Sequence, residues 1–412
     1  MTKSAVRLEF LLLMAAMMCL MALYIDAMLP ALHDIGEEFN ALEGNYYQLV
    51  ITSVMVGMGL GQLFYGPFSD AFGRKPAVYL GFLLILIGTV ISIFAPSFEW
   101  MLFGRLLQGL GAAGPRVMMV AIIRDGYAGP DMARIMSLVM TIFIFSPVVA
   151  PMLGQVVLLF AGWRAVFVML LVISLATVIW FALRQKETLA PENTREFSLR
   201  PILRGTQEVL VHKEALVYTL AGGLIHGALI GFLTSIQAIL QGIYDTGAMF
   251  PVYFALMAIG VAVSSFINSR LVYHFSLRNL VMGVLVFLSV TTLSEAAAFA
   301  LFDLHPALWI FILMMSVTTF CFGLLFGNLN SLAMEPFGRL AGLASGTIGA
   351  VTMIIGVAVG SLIGMSFNGT LEPMLAGFGI TALISLALIY FATPNPITAI
   401  SKGSEAEATV SN

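Results

Sequence analysis

The chain has 412 residues, 60% of them hydrophobic and only 10% charged, with a formal net charge of −3 and a mean hydropathy of +0.99. That balance excludes a string of soluble domains, and it excludes a nucleic-acid partner, which needs a dense basic face. The apolar residues gather into runs of about 20, the length of a helix crossing a ~30 Å hydrocarbon core. Stretches such as Ala77 to Ala95 are apolar on every face and exclude a barrel of alternating strands.

Twelve spans are predicted, over residues 8–32, 44–66, 76–96, 100–123, 134–158, 164–184, 214–239, 248–272, 279–302, 306–333, 340–367 and 371–393. The first run passes twenty residues without a small-residue cleavage site, so it reads as a retained span rather than a signal peptide. The longest polar interval falls between spans 6 and 7 and divides the chain in two. The expected organisation is a six-helix bundle over 1–184, a linker over 185–213 with a short amphipathic surface helix, a second bundle over 214–393, and a disordered tail over 394–412. Cys19 and Cys321 both fall inside apolar runs, so neither a disulfide framework nor a metal-ligand spacing exists.

Lys and Arg set the orientation, because cytoplasmic loops retain an excess of them. Sixteen of the nineteen fall on the side of the N-terminus, Arg164 alone falls opposite, and Arg105 and Arg116 lie within spans. Both termini are therefore expected in the cytoplasm. The halves also echo each other: span 5 has Ser146, Ala150 and Gly154 at four-residue spacing, and span 11, its counterpart six spans later, has Gly356, Gly360 and Gly364. Small residues on one face let helices approach closely, and matching stripes suit the internal repeats of secondary transporters.

Pumping by ATP would need a phosphate-cradling loop ending in Gly-Lys-Ser/Thr, and none of the five lysines sits in one. A channel would need a filter segment or a repeated charged ring. What remains is a gradient-driven carrier, an intramembrane enzyme or a non-transporting sensor. For an enzyme, Ser146 before Pro147 has no base positioned by sequence. The most specific segment lies between spans 2 and 3, from Gly66 to Lys75 (GPFSDAFGRK). Gly66 and Gly73 permit tight turning, Asp70 can accept from a helix N-terminus, and Arg74 offers a planar fork to a carboxylate. Together with Lys75 this reads as a latch.

The segment resembles the signature loop of the major facilitator superfamily, G-x-L-a-D-r-x-G-r-k, departing from it at Phe68 and Ala71. Arg105 to Ala113 (RLLQGLGAA) resembles the R-x-x-q-G-x-g-a-a motif of that superfamily's proton antiporters. Pro147 to Gln155 in span 5 resembles the antiporter motif g-x-G-P-x-x-G-G, keeping Pro151 and Gly154 while Ala150 and Gln155 replace glycines. With Asp26 to Pro30 and Ala341 to Gly346, the pattern is similar to the Bcr/CflA type of drug:proton antiporters. The resemblance implies an all-α membrane protein of twelve helices in two pseudo-symmetric six-helix bundles, the major facilitator fold. It also implies that Asp70, Arg74 and Asp125 form a charge network with the N-terminus of span 11. The echo of the latch at Asn268 to Arg278 lacks Asp and Gly and should be weaker.

Asp26, Arg105, Arg116 and Glu295 fall within spans, and each costs at least ~2.5 kcal/mol at a helix centre unless paired or solvated. Asp26, Arg105 and Glu295 are each a few residues from the outer end of their spans, at depths of roughly 8–10 Å, so three charges could share one level. Pro30 removes the N–H that would bond the carbonyl four residues earlier, which makes the helix pliable at Asp26. The Asp26 carboxyl is then either a structural acid paired with an arginine or, preferred here, the group that loads and releases a proton. Arg105 would turn its charge toward or away from it, and Glu295 either joins them or snorkels to the outer surface. Arg116 either snorkels inward or contacts an acidic substrate, and His226 is either a packing residue or a relay. By the resemblance, Tyr24, Tyr47, Gln155, Gln237, Tyr253, Asn328 and Asn330 are candidate contacts on cavity-lining spans. The 25 methionines and 31 phenylalanines suit an adaptable apolar site.

The expectation is a monomeric carrier in a bacterial-type inner membrane, exporting small amphipathic compounds in exchange for protons. It needs no cofactor, nucleotide or metal; its partners are substrate, protons and the lipid bilayer. The rival within transport is a dedicated exporter of one endogenous metabolite such as an anionic siderophore.

Overall fold

Apolar runs in a bilayer must satisfy their backbone polar groups within the segment, and these runs do so as helix. The computed structural model describes residues 8–190, 192, 194, 200–302 and 305–392; the expected tail over 394–412 lies outside them. In the first half the helices are α1 (Leu8–Asp26), α2 (Leu32–Glu38), α3 (Leu49–Phe72), α4 (Arg74–Ile93), α5 (Phe98–Gly126), α6 (Gly129–Ile144), α7 (Ser146–Leu158) and α8 (Trp163–Arg184). A linker helix, α9 (Arg200–Val211), precedes the second half: α10 (Lys213–Ala238), α11 (Phe250–Leu271), α12 (Leu277–Phe302), α13 (Leu308–Met334), α14 (Ala341–Met365) and α15 (Glu372–Ala392). Among the described residues these make 12 segments long and apolar enough to span a membrane, α1 with α2 and α6 with α7 counting as one each.

Prolines break two of the spans. The first stops at Asp26, passes through a 3-10 turn over Leu29–Ala31 that carries Pro30, and resumes as α2. The fifth, expected as one run, is interrupted at Phe145, because Pro147 sits in the first turn of α7. The second span runs the other way: α3 continues through Gly66 and Pro67 to Phe72, so most of the segment read as a loop is helix. Gly73 alone makes the turn, with φ of 104°. We call the face carrying this turn and the start of α1 the near face, and the opposite one the far face.

The two small-residue stripes do equivalent work. A Cβ added at Gly154 of α7 would land on the carbonyl of Ala27 at the break in the first span. In the second half, Gly356, Gly360 and Gly364 of α14 face His226, Ile230 and Thr234 of α10. The halves meet along α3 and α14 and along α7 and α11. Toward the far face the α3–α14 seam is polar but uncharged: Asn45 Nδ2 donates to the Phe367 carbonyl at 2.7 Å, and the Thr52 and Ser361 hydroxyls are 3.1 Å apart.

Candidate functional site

Three groups of chemistry-bearing residues lie along the first half, the first of them at the break in α1. Asp26 is the last residue of α1 and 5% exposed, and its carboxyl makes no hydrogen bond or ion pair among the described residues. Pro30 has no N–H to close the turn beneath it, and Ala31 N–H bonds instead to the Met28 carbonyl at 3.0 Å. Of the antiporter-motif helix, Pro147 and Pro151 shape α7, while buried Ala150 and Gly154 bring it against this break.

Arg105 is fully buried and is held by oxygens rather than by an acid. Its Nη2 donates to the Tyr24 carbonyl at 2.7 Å, its Nε to the Val50 carbonyl at 3.0 Å and its Nη1 to Gln108 Oε1 at 2.8 Å. Gln108 passes the network on to the Thr89 hydroxyl at 3.2 Å. Arg105 and Asp26 thus share a level, but the guanidinium bonds the backbone two residues before the carboxylate. The third charge is elsewhere: Glu295 lies on α12, which packs on α13 and α15, beside Ser294, Phe299 and His305 in a groove of about 540 Å³. The expected meeting of three charges therefore reduces to two.

Four expected substrate contacts are occupied structurally. The Tyr24 hydroxyl is buried among Ser174 at 2.9 Å, Thr89 at 3.2 Å and the Leu170 carbonyl, so it ties α1 to α4 and α8 and does not face a cavity. Tyr47 sits in the turn before α3, buried against Gly36, with its N–H on the Ala41 carbonyl. Gln237 is 2% exposed and donates to Gln241, one turn away on its own span. Asn328 exchanges two hydrogen bonds with Asn268 of α11, at 2.8 and 3.1 Å. Gln155 is half-buried with an unpartnered Oε1, Tyr253 is half-buried, and Asn330 is exposed. Arg116 of α5 and His226 of α10 lie within electrostatic range of each other across the junction of the halves.

The third group is the latch, on the near face. Arg74 opens α4, and its side chain donates through Nη1 to Asp70 at 2.6 Å and Ser69 at 2.7 Å, and through Nε to Asp125 of α5 at 2.9 Å. Of the signature glycines only Gly73 turns the chain; Gly66 is helical, with nothing within 4 Å of an added Cβ. Side chains 338–343, at the expected span 11 partner, lie outside the described residues. The sequence reading missed Glu187, just after α8. Its carboxylate accepts the N–H groups of Arg74 at 3.0 Å and Lys75 at 2.9 Å, capping α4 against the helix dipole. Burial works against its ionisation, but bonds from the Leu189, Lys75, Arg74 and Thr188 N–H groups win and hold it below the usual carboxylate range. Lys75 Nζ donates to the Gln185 carbonyl at 2.8 Å, and the Thr188 hydroxyl to Asp125 at 3.1 Å. No spacing signal pointed to this polar stretch more than 110 residues away.

A family model described as the Major Facilitator Superfamily matches residues 11–361. The bicyclomycin resistance protein homolog of Haemophilus influenzae is 29% identical over 372 residues, 90% of this chain and 92% of that protein. Multidrug resistance protein MdtL of Escherichia coli O157:H7 is 28% identical over 406 residues, 95% of this chain and 97% of its own. Among solved structures, a D-xylose-proton symporter superposes with a TM-score of 0.68 at 13% identity, over 93% of this chain and 98% of that one, a likeness of fold alone. The relatives are of the kind the Bcr/CflA resemblance implied, and the family is one of transporters, which sets aside the reading as an intramembrane enzyme. A match running from the first span into the eleventh decides the matter: the chain belongs to the Major Facilitator Superfamily, as a multi-pass plasma-membrane transporter of small molecules.

Proposed function

We propose that the chain exports small amphipathic compounds in exchange for inward-moving protons, with Asp26 as the proton carrier. The observation that carries this reading is the Asp26 carboxyl itself, 5% exposed, without a hydrogen bond or ion pair among the described residues, at a break in its helix. A carboxylate so situated is costly while charged, so it gains a proton readily and releases it only when the site rehydrates or a substrate competes. Arg105, fixed on the Tyr24 carbonyl two residues before Asp26, holds in place the end of the helix that carries the carboxyl. Alternating access then rocks the halves about the α3–α14 and α7–α11 seams, with the near face and both termini cytoplasmic by the charge bias and the monomer as the working unit. The resistance named for two relatives supports drugs as cargo.

The test is proton release from purified protein in detergent on adding compounds selected by a susceptibility screen of cells with and without the transporter. Asp26→Asn, which mimics the protonated form at nearly the same size, should insert and fold yet release no proton and carry nothing uphill. A wild-type-sized release from that variant would eliminate Asp26 and move the role to Glu295. A second reading, export of one anionic metabolite, is favoured by Arg116, which lacks an acidic partner; proton release on adding one compound rather than a broad panel would select it.

A further inference from the structure

Arg116 is a membrane-embedded charge that the proton cycle does not use. It is half-buried on α5 and makes no hydrogen bond or ion pair among the described residues. Among the described residues no acid is paired with it. Arg105, level with Asp26, lies eleven residues back along α5, about 16 Å toward the far face, and Asp125 is nine residues on, about 13 Å toward the near face and already bonded to Arg74. A guanidinium left so is costly near a bilayer centre unless something solvates it.

Across the junction stands His226 of α10, half-buried, with its Nε2 unpartnered. Its ring is seated edge-on to Phe326 at 5.6 Å, and a Cβ at Gly356 would come within 2.8 Å of Cδ2, so the glycine leaves the room that the imidazole occupies. The two groups come from opposite halves, and both lack the partner that an oxyanion would supply.

We infer that Arg116 and His226 form an anion subsite between the halves, taking the acidic group of an amphipathic organic anion. The planar guanidinium presents two parallel N–H groups to a carboxylate, sulfonate or phosphonate, and the imidazole adds a donor from the other side. Phe326 supplies an apolar face for the rest of the molecule. Because the two donors ride on different halves, rocking separates them, and the anion is held in one conformation more tightly than in the other. The inference rests on the proposed export of small amphipathic compounds by halves that rock against each other, and it names the class of that cargo.

The test compares two probes with the same rings, 8-anilinonaphthalene-1-sulfonate and the uncharged N-phenyl-1-naphthylamine. Binding to purified protein in nanodiscs of zwitterionic lipid is read by fluorescence, with empty discs as the blank. Wild type should bind the sulfonate at least about tenfold tighter than the neutral probe. Arg116→Gln should erase that preference and leave the neutral probe within about twofold, Arg116→Lys should keep part of it, and His226→Gln should lose roughly threefold to fivefold on the sulfonate alone. A wild type without preference, or an Arg116→Gln protein that loses both probes alike, overturns the subsite. No proton is measured, so the two proposals fail separately. An anion preference in a protein that releases no proton sinks antiport and leaves the subsite standing, and proton release without anion preference does the reverse.

Discussion

The near-face ends of α3 and α5 are joined by charge, and those of α11 and α13, their counterparts six spans later, by a pair of amides. In the first half Arg74 draws together Asp70, Asp125 and Ser69, and the backbone at its helix start recruits Glu187 from beyond α8. In the second, Asn268 and Asn328 satisfy each other, with no further side-chain partner among the described residues. The same joint is thus built with two chemistries of different failure modes. A charged joint works only as a whole, since removing one member strands the rest, whereas a neutral pair can be deleted together with little loss. The half with the charged joint is therefore the one whose near face can be switched sharply between intact and broken.

The largest effect should come from Arg74→Ala. The Arg74 side chain is 5% exposed, Asp125 16% and Asp70 39%, so the loss should be roughly 2–3 kcal/mol, below the ~3–5 of a fully buried pair because Asp70 is well solvated. A fall in Tm together with an at least tenfold lower turnover at saturating substrate is expected, with substrate affinity retained; Asp125→Asn should follow it in direction. Collapse of affinity with turnover untouched would mean that the joint does not govern cycling.

Next come the two signature glycines, which the geometry separates. Gly73→Ala forces a side chain into φ of 104° and within 2.8 Å of Glu187 Oε2, and should cost about 1–2 kcal/mol. Gly66→Ala, helical and uncrowded except by its neighbour Pro67, should change stability by less than about 1 kcal/mol, because the helix gain is offset by the clash of the new Cβ with the proline ring. Equal losses from both in thermal unfolding would return the motif to a loop. For the amide joint, Asn328→Leu alone should cost about 1–2 kcal/mol by stranding Asn268, and adding Asn268→Leu should recover most of it. A double variant worse than the single would erase the contrast between the halves.

The smallest effect is that of Glu187→Gln, and it depends on pH. The folded protein holds this carboxyl below its ordinary range, so its stabilising contribution is complete above the unfolded pKa of roughly 4.3 and fades as pH falls through the lower folded value. Wild type should keep a small Tm advantage over Glu187→Gln at neutral pH and lose it in acid. An advantage that grows on acidification would reverse the assignment.

What the sequence made legible follows from where its signals are strong. Span positions came from apolar run length, the break at Asp26 from Pro30, and the contact of Arg74 with Asp70 and Asp125 from the signature motif. What stays hidden is rotational phase: α1 is apolar all round, so nothing in its pattern says which face meets a cavity, and Tyr24, a candidate contact by resemblance, bonds Ser174 and Thr89 instead. Asn328 failed similarly, because a polar residue on a cavity-lining span can equally serve the helix beside it. The residue type of Gly66 points to a turn, yet Pro67 does not stop α3 and the glycine is helical. Glu187 and Asn45 act by tertiary position: one caps a helix more than 110 residues away, and the other, at φ of 58°, reaches a carbonyl on the opposite half.

The far-face seam has a consequence of its own. Asn45 on the Phe367 carbonyl and Thr52 beside Ser361 are neutral contacts, and no ion pair among the described residues joins α3 to α14. Dissolved ions screen charges but leave such bonds almost unchanged. Parting the halves on that side should therefore proceed at nearly the same rate in dilute buffer and in brine.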